Sequence, residues 1–233
     1  MIPAWLHLLA LLSLGLGLVC AVVIAVDEIR RPQAMWIMNA VWPVTALFGG
    51  GLALWGYWRH GRAADHPHDD GGDPPMLVMA GKAAAHCGSG CTLGDIIAEV
   101  LALASPGLLA GFGWPWLFGD KIFAVWVLDF ILAFGFGIIF QYCTIQPMRQ
   151  LPPGPALVAA LKADALSLTA WQVGMYSVMA MAQFAVFRPL FGLRVDAAMA
   201  EFWFAMQIAM LAGFGTALPV NVWLLKRGIK ERM

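Results

Sequence analysis

The chain has 233 residues, of which 61% are hydrophobic and only 12% charged, and its fourteen Lys and Arg are balanced by fourteen Asp and Glu. Soluble domains carry about 25% charged residues, so the composition excludes an ordinary soluble domain and predicts an all-α, polytopic transmembrane helical bundle. Zero net charge offers no basis for nucleic-acid binding, and four cysteines in a chain of this length do not make a disulfide framework.

Apolar runs of roughly 20 residues predict about six spans: Ala4–Val26, Ala34–Trp58, Thr92–Gly113, Lys121–Ile145, Ala165–Phe187 and Ala198–Leu225. The first run has no basic leader and no small-residue cleavage site and runs into DEIRRP, so it reads as a retained helix. Pro106 should kink the third, and Trp114, Pro115 and Trp116 read as its end or as a short interfacial piece. Five spans with that third run re-entrant is the alternative. Organisation follows as a two-helix hairpin (1–58), a polar His/Asp-rich linker (59–80) and a four-helix membrane domain (81–233). No internal repeat is visible.

In a six-span arrangement, the side holding both termini carries Arg59, Arg62, Lys82, Arg149, Lys162, Lys226, Arg227, Lys230 and Arg232. The opposite side carries Arg30, Arg31, Lys121, Arg188 and Arg194. This excess predicts a membrane protein with both termini in the cytoplasm. The first helix alone argues the reverse, because its only basic flank is Arg30 and Arg31. The linker holds His66 and His68 beside Asp65, Asp69 and Asp70, a weak collector of divalent metal or simply a solvated connector. The tail KRGIKERM reads as a basic membrane-proximal anchor.

The chemically unusual stretch is HCGSGCTLGDIIAE, His86 to Glu99. Thr92 and Asp95 have the spacing of a capping box, which predicts a helix start near Thr92 and puts His86, Cys87 and Cys91 in a glycine-rich turn before it. A helix N-terminus favours anions, thiolates included. Thiolate and imidazole suit soft or borderline ions, so Cys87, Cys91 and His86, with Asp95 as a further ligand or orienting group, make a candidate copper or zinc site. The same pair reads alternatively as a redox dithiol, and Gly90-x3-Gly94 as a close helix-packing motif.

Carboxylates within spans usually face a bundle interior and often mark an ion path. Glu99 and Asp129 are the deepest, whereas Asp164, near Lys162, and Glu201 read as interfacial ions. Met175 and Met179 share a face of the fifth span with Gln172 and Asp164, and Met206 and Met210 form a stripe on the sixth together with Met199. Thioethers are weak soft ligands and also ordinary fillers of helix interfaces. Cys143 could join them, Cys20 reads as packing, and His7 as interfacial. Ser167, Thr169, Gln172, Ser177, Gln183, Gln207, Thr216 and Asn221 join helices or line a wet cavity. There is no nucleotide-binding or hydrolase motif.

Five segments carry a resemblance: MWIMNAVWPVTALF (35–48), HCGSGCTLGDIIAE (86–99), FQYCTIQPM (140–148), ALKADALSLTAWQVGMY (160–176) and PVNVWLLKRGIKERM (219–233). Together they resemble a bacterial family of small membrane proteins known as domain of unknown function 4396. The resemblance implies an integral membrane protein with a helical body and supplies no activity, substrate or site. From the residues themselves, the expectation is a transport or binding protein rather than an enzyme, which binds a soft transition metal, copper above all, and moves it across the membrane or hands it on. Cys87, Cys91, His86 and Asp95 form its entrance, Met175, Met179, Met206 and Met210 later weak sites, and Glu99 and Asp129 ion-path carboxylates. The expected partners are the lipid bilayer and a metal chaperone or metalloprotein, with a homo-oligomer compatible. A membrane thiol-disulfide oxidoreductase and a non-catalytic assembly protein are the alternatives.

Overall fold

The computed structural model describes residues 2–63 and 74–230, and these are almost wholly helical with no strand among them. His66 and His68, with Asp65, Asp69 and Asp70, lie outside the described residues. Seven α-helices follow in order: α1 Ala4–Arg30, α2 Met38–Gly56, α3 Met76–Ala104, α4 Lys121–Arg149, α5 Pro153–Ala180, α6 Arg188–Phe191 and α7 Ala200–Lys226. Four of them, α1, α3, α4 and α7, are long and apolar enough to cross a membrane. Apolar side chains cover much of the exterior, and several acids and amides are buried. Leu8, Leu12, Leu16 and Val19 point outward from α1, while Asp95, Asp129, Asp164 and Gln141 are fully buried. Apolar side chains outside with acids buried within suit an apolar solvent.

Local chemistry sets the helix ends. Arg31 precedes Pro32 and Ser105 precedes Pro106; both leave the helical region, with φ near −137° and ψ near +71°, as a following proline disfavours the α conformation. Pro106 therefore ends α3 and starts a 3-10 turn, Pro106–Phe112, rather than kinking a span. Asp120 caps α4, its side chain accepting from the Ile122 N–H.

The third predicted span is displaced. α3 starts at Met76, 16 residues before Thr92, and its first turns take up the end of the segment expected to be linker. Thr92 lies in mid-helix, its hydroxyl bonded to the Gly88 carbonyl at 2.7 Å, so the capping-box reading fails. Gly90 and Gly94 face α4: a Cβ on Gly90 would stand 2.7 Å from Gly137 backbone, and one on Gly94 2.3 Å from Ala133 backbone. Small residues there let the two helices approach closely.

The largest departure is α2, which doubles back. Gly50 has φ +50° and ψ −129°, a conformation that needs glycine, and it divides the helix in two. The halves lie side by side: Gly61 packs beneath the Trp42 indole, and the Trp42 and Tyr57 rings meet edge-on at 5.6 Å. Both ends of the hairpin sit beside the end of α1. Asp27 accepts from Tyr57 at 2.8 Å and pairs with Arg62 at 2.7 Å, and Gln33 donates to the Gly61 carbonyl at 2.9 Å. The tip reaches the middle of α1, where Gly17 packs against the Leu47 carbonyl. Gln207 of α7 donates to that carbonyl at 2.6 Å, satisfying an acceptor freed where the first half-helix stops.

Consequently α1, α3, α4, α5 and α7 run the length of the bundle, and α2 enters and returns on one side. α1 and α7 are parallel, since His7 meets Glu201 at 2.7 Å near their starts. Ile2 and Lys230 thus lie at opposite ends of the bundle. The hairpin also carries Arg59 and Arg62 to the end that holds Arg30 and Arg31. The Lys230 end then carries these four with Lys82, Arg149, Lys162, Lys226, Arg227 and Lys230, against Lys121, Arg188 and Arg194 at the Ile2 end.

Candidate functional site

Helical periodicity turns the Cys segment into a line. Cys87, Cys91, Asp95 and Glu99 are spaced by four residues on α3, so they stack on one face over about 18 Å at 1.5 Å per residue. The first three are fully buried and Glu99 is 6% exposed. α4, α5 and α7 cover this face. Asp129 of α4 lies against Asp95, and Gln172 of α5 reaches Asp95 at 3.5 Å. Both Asp129 oxygens, the second Asp95 oxygen and the Gln172 carbonyl oxygen are buried without a hydrogen-bond partner among the described residues. Unsatisfied buried acceptors in one place are exceptional, and a proton or a bound cation is what such a set accommodates.

The stripe meets a buried ion pair at the Lys230 end. The Cys87 thiol lies against Asp164 of α5. Asp164 pairs at 2.6 Å with Lys230, whose ammonium also donates to Asn221 at 2.8 Å and to the Ala83 carbonyl at 3.4 Å. Asn221 in turn donates to Ser167 at 2.7 Å. Gly228, with φ +66°, turns the chain after α7 so that Lys230 reaches inward. Both side chains of the pair are 0% exposed. Asp164 is therefore no interfacial partner of Lys162, and Lys230 is no surface anchor.

At the Ile2 end, Glu99 opens into a cavity of about 140 Å³ lined by Lys121, Gln183, Arg188, Arg194 and Asp196 among others. Asp120 at its rim accepts from Arg188 and from Arg194, the latter at 3.3 Å. Partial burial disfavours the charged carboxylate and works to raise the pKa of Asp120. The Arg188 hydrogen bond, the Ile122 N–H and the two guanidinium charges outweigh it and hold the carboxyl below its ordinary range. The polar stripe thus connects a charged vestibule to a sealed ion pair.

Not all expected ligands meet. Successive helical residues are about 100° apart, so His86 turns away from Cys87. Its ring bonds Thr144 of α4 at 3.0 Å and meets Phe140 edge-on. Among the described residues, no three His, Cys, Asp or Glu side chains converge as a ready-made metal centre. Met175, Met179, Met206 and Met210 are all buried in the same cluster as Cys87 and Cys91, and Met210 sulfur is 3.6 Å from the Thr92 hydroxyl. Cys20 and Cys143 belong to the separate cluster around α2. Lys230, Asn221 and Gln172 complete the site. Asn221 and Gln172 were visible in the sequence as polar residues within apolar runs, and Lys230 only as part of the basic tail.

A helical bundle with a buried line of thiols and carboxylates is the class this geometry defines. The chain belongs to the family described as domain of unknown function DUF4396, whose model matches residues 78–230. That range holds α3 through Lys230, and with them the whole stripe. No curated protein and no solved structure matches the chain.

Proposed function

We propose that the chain is a membrane protein with five crossings and one re-entrant hairpin, which conducts a soft metal cation, copper(I) above all, along the α3 stripe. The observation that carries this reading is the buried succession Cys87, Cys91, Asp95 and Glu99, with the Asp129 carboxylate beside it and no donors for its free oxygens among the described residues. Two thiols with four thioethers in the same cluster favour a soft ion. The carboxylates beyond offer weaker, harder contacts, and several weak sites in series let an ion leave as well as enter. Copper(I) suits sulfur donors, whereas zinc prefers four converging ligands.

Thiol redox chemistry is less well supported. Side chains four apart on a helix stand about 5–6 Å apart at Cβ, and a disulfide needs about 3.5–4.5 Å. Cys87 and Cys91 would have to distort α3 to pair.

The positive-inside rule assigns the Lys230 end to the cytoplasm, with Arg30 and Arg31 now in agreement with the rest. Exposed Trp36, Trp55 and Trp58 near that end, and Trp5 and Trp116 near the other, suit two interfacial belts. The bacterial cytoplasmic membrane is the setting, and a metal chaperone at the cytoplasmic face the partner class.

The test is anaerobic loading of purified protein with copper(I) or silver(I), followed by elemental analysis. Wild type should retain metal, while Cys87→Ser and Cys91→Ser should abolish retention, because a hydroxyl is a harder and less acidic ligand. Metal-free wild type, or retention unchanged in the double serine variant, would sink the reading.

A further inference from the structure

A second site lies on the other face of α3. The α2 hairpin stands off from α3 and α7 and leaves a cavity of about 490 Å³, lined almost entirely by apolar side chains such as Phe48, Trp55 and Phe214. Its long direction is set by the hairpin. His60 and Lys82 mark the Lys230 end, and Gly49, beside the turn at Gly50, marks the middle of the bundle. A bilayer core is about 30 Å thick, so a cavity from one interface to mid-depth has the reach of one acyl chain in one leaflet.

Lys82 decides the headgroup. It is half-buried, and it makes no ion pair or hydrogen bond among the described residues. An ammonium partly withdrawn from water without a counter-charge is costly. His60, edge-on to Trp55 at 6.2 Å, adds a donor at the same level. The surrounding end of the molecule is the basic one, and basic pockets between helices on that side recruit anionic lipid heads.

We propose that this cavity binds one anionic phospholipid from the leaflet at the Lys230 end, its phosphate on Lys82 and one acyl chain running toward Gly49. The inference rests on the membrane placement above and not on the metal reading. Recovery of the full chain in the detergent-extracted membrane fraction checks that placement separately.

Native mass spectrometry tests the site. Purified full-length protein is offered an equimolar mixture of phosphatidylglycerol and phosphatidylcholine with identical acyl chains. Wild type should hold one phosphatidylglycerol in preference to phosphatidylcholine by about fivefold, the discrimination expected of one basic contact near a headgroup. Lys82→Gln should erase the preference while leaving some binding of both lipids. Gly81 lines the cavity, and a Cβ there would meet nothing within 4 Å. Gly81→Leu should therefore fold normally, fill the cavity and lower retention of both lipids several-fold. Equal retention of the two lipids by wild type, a preference that survives Lys82→Gln, or full retention by Gly81→Leu would each overturn the proposal.

Discussion

The Asp164 carboxylate and the Lys230 ammonium stand 2.6 Å apart with no exposure of either side chain. Each therefore depends on the other, because removing one partner strands a buried charge at a cost of roughly 3–5 kcal/mol. Lys230→Met and Asp164→Asn should each destabilise the protein by about that amount. The double variant should recover most of the loss, since two neutral groups replace the pair. Thermal unfolding in detergent measures this, and strictly additive losses would show that the two do not act as a pair. Sequence proximity hid the relation: Lys162 is two residues from Asp164, whereas Lys230 is 66 away and arrives only because Gly228 turns the chain. The stripe residues were legible as chemistry but not as geometry. Cys87, Cys91, Asp95, Glu99 and Asp129 stand out as polar or soft groups in apolar surroundings, yet only a continuous helix places the first four on one line.

Glycine carries two opposite meanings in the helices. In α3 it permits close approach: Gly90 and Gly94 leave room for the α4 backbone, which in turn brings Asp95 against Asp129. In α2 it permits reversal, at Gly50 with its positive φ. A sequence scan reads dense glycine as a turn, which is why HCGSGC resembled a loop and the helix start was placed too late. The same scan passed over Gly49-Gly50-Gly51, because the run from Ala34 to Trp58 is long enough to cross a bilayer and nothing in its length betrays a fold back. The starts of α1 and α4, by contrast, fall at Ala4 and Lys121, where the apolar runs begin. Gly94→Leu should push α3 from α4, since its Cβ alone would lie 2.3 Å from Ala133 nitrogen. We expect a loss of roughly 1–3 kcal/mol or more from overpacking, together with reduced metal retention as Asp95 and Asp129 separate. Gly135→Ala, on α4 where a Cβ meets nothing within 4 Å, should be nearly silent by the same two measurements. If both variants behaved alike, close packing would not be what Gly94 provides.

Whole-molecule topology follows from the reversal of that one element. With six full crossings, Arg30 and Arg31 would face the less basic side and contradict the rest of the chain. With α2 returning to its own side, Arg30, Arg31, Arg59 and Arg62 join the other basic residues at the Lys230 end, and among the described residues only Lys121, Arg188 and Arg194 remain opposite. The local signal at the first helix and the total then agree. Reporter fusions to the C-terminus and to the α4–α5 turn at 150–152 should report cytoplasm, while fusions to the N-terminus and to the 113–119 loop should report the outside. The decisive comparison is between the two termini, because five crossings would separate them and six would not. If both reported the same compartment, α2 would have to cross the bilayer. The contacts that fold it back, Asp27 with Arg62 and Gln33 with the Gly61 carbonyl, would then have to break. A cytoplasmic C-terminus with an external N-terminus would place the Lys230–Asp164 pair and Cys87 toward the reducing compartment, where thiols stay free to hold a soft ion, and Glu99 with its charged vestibule on the far side.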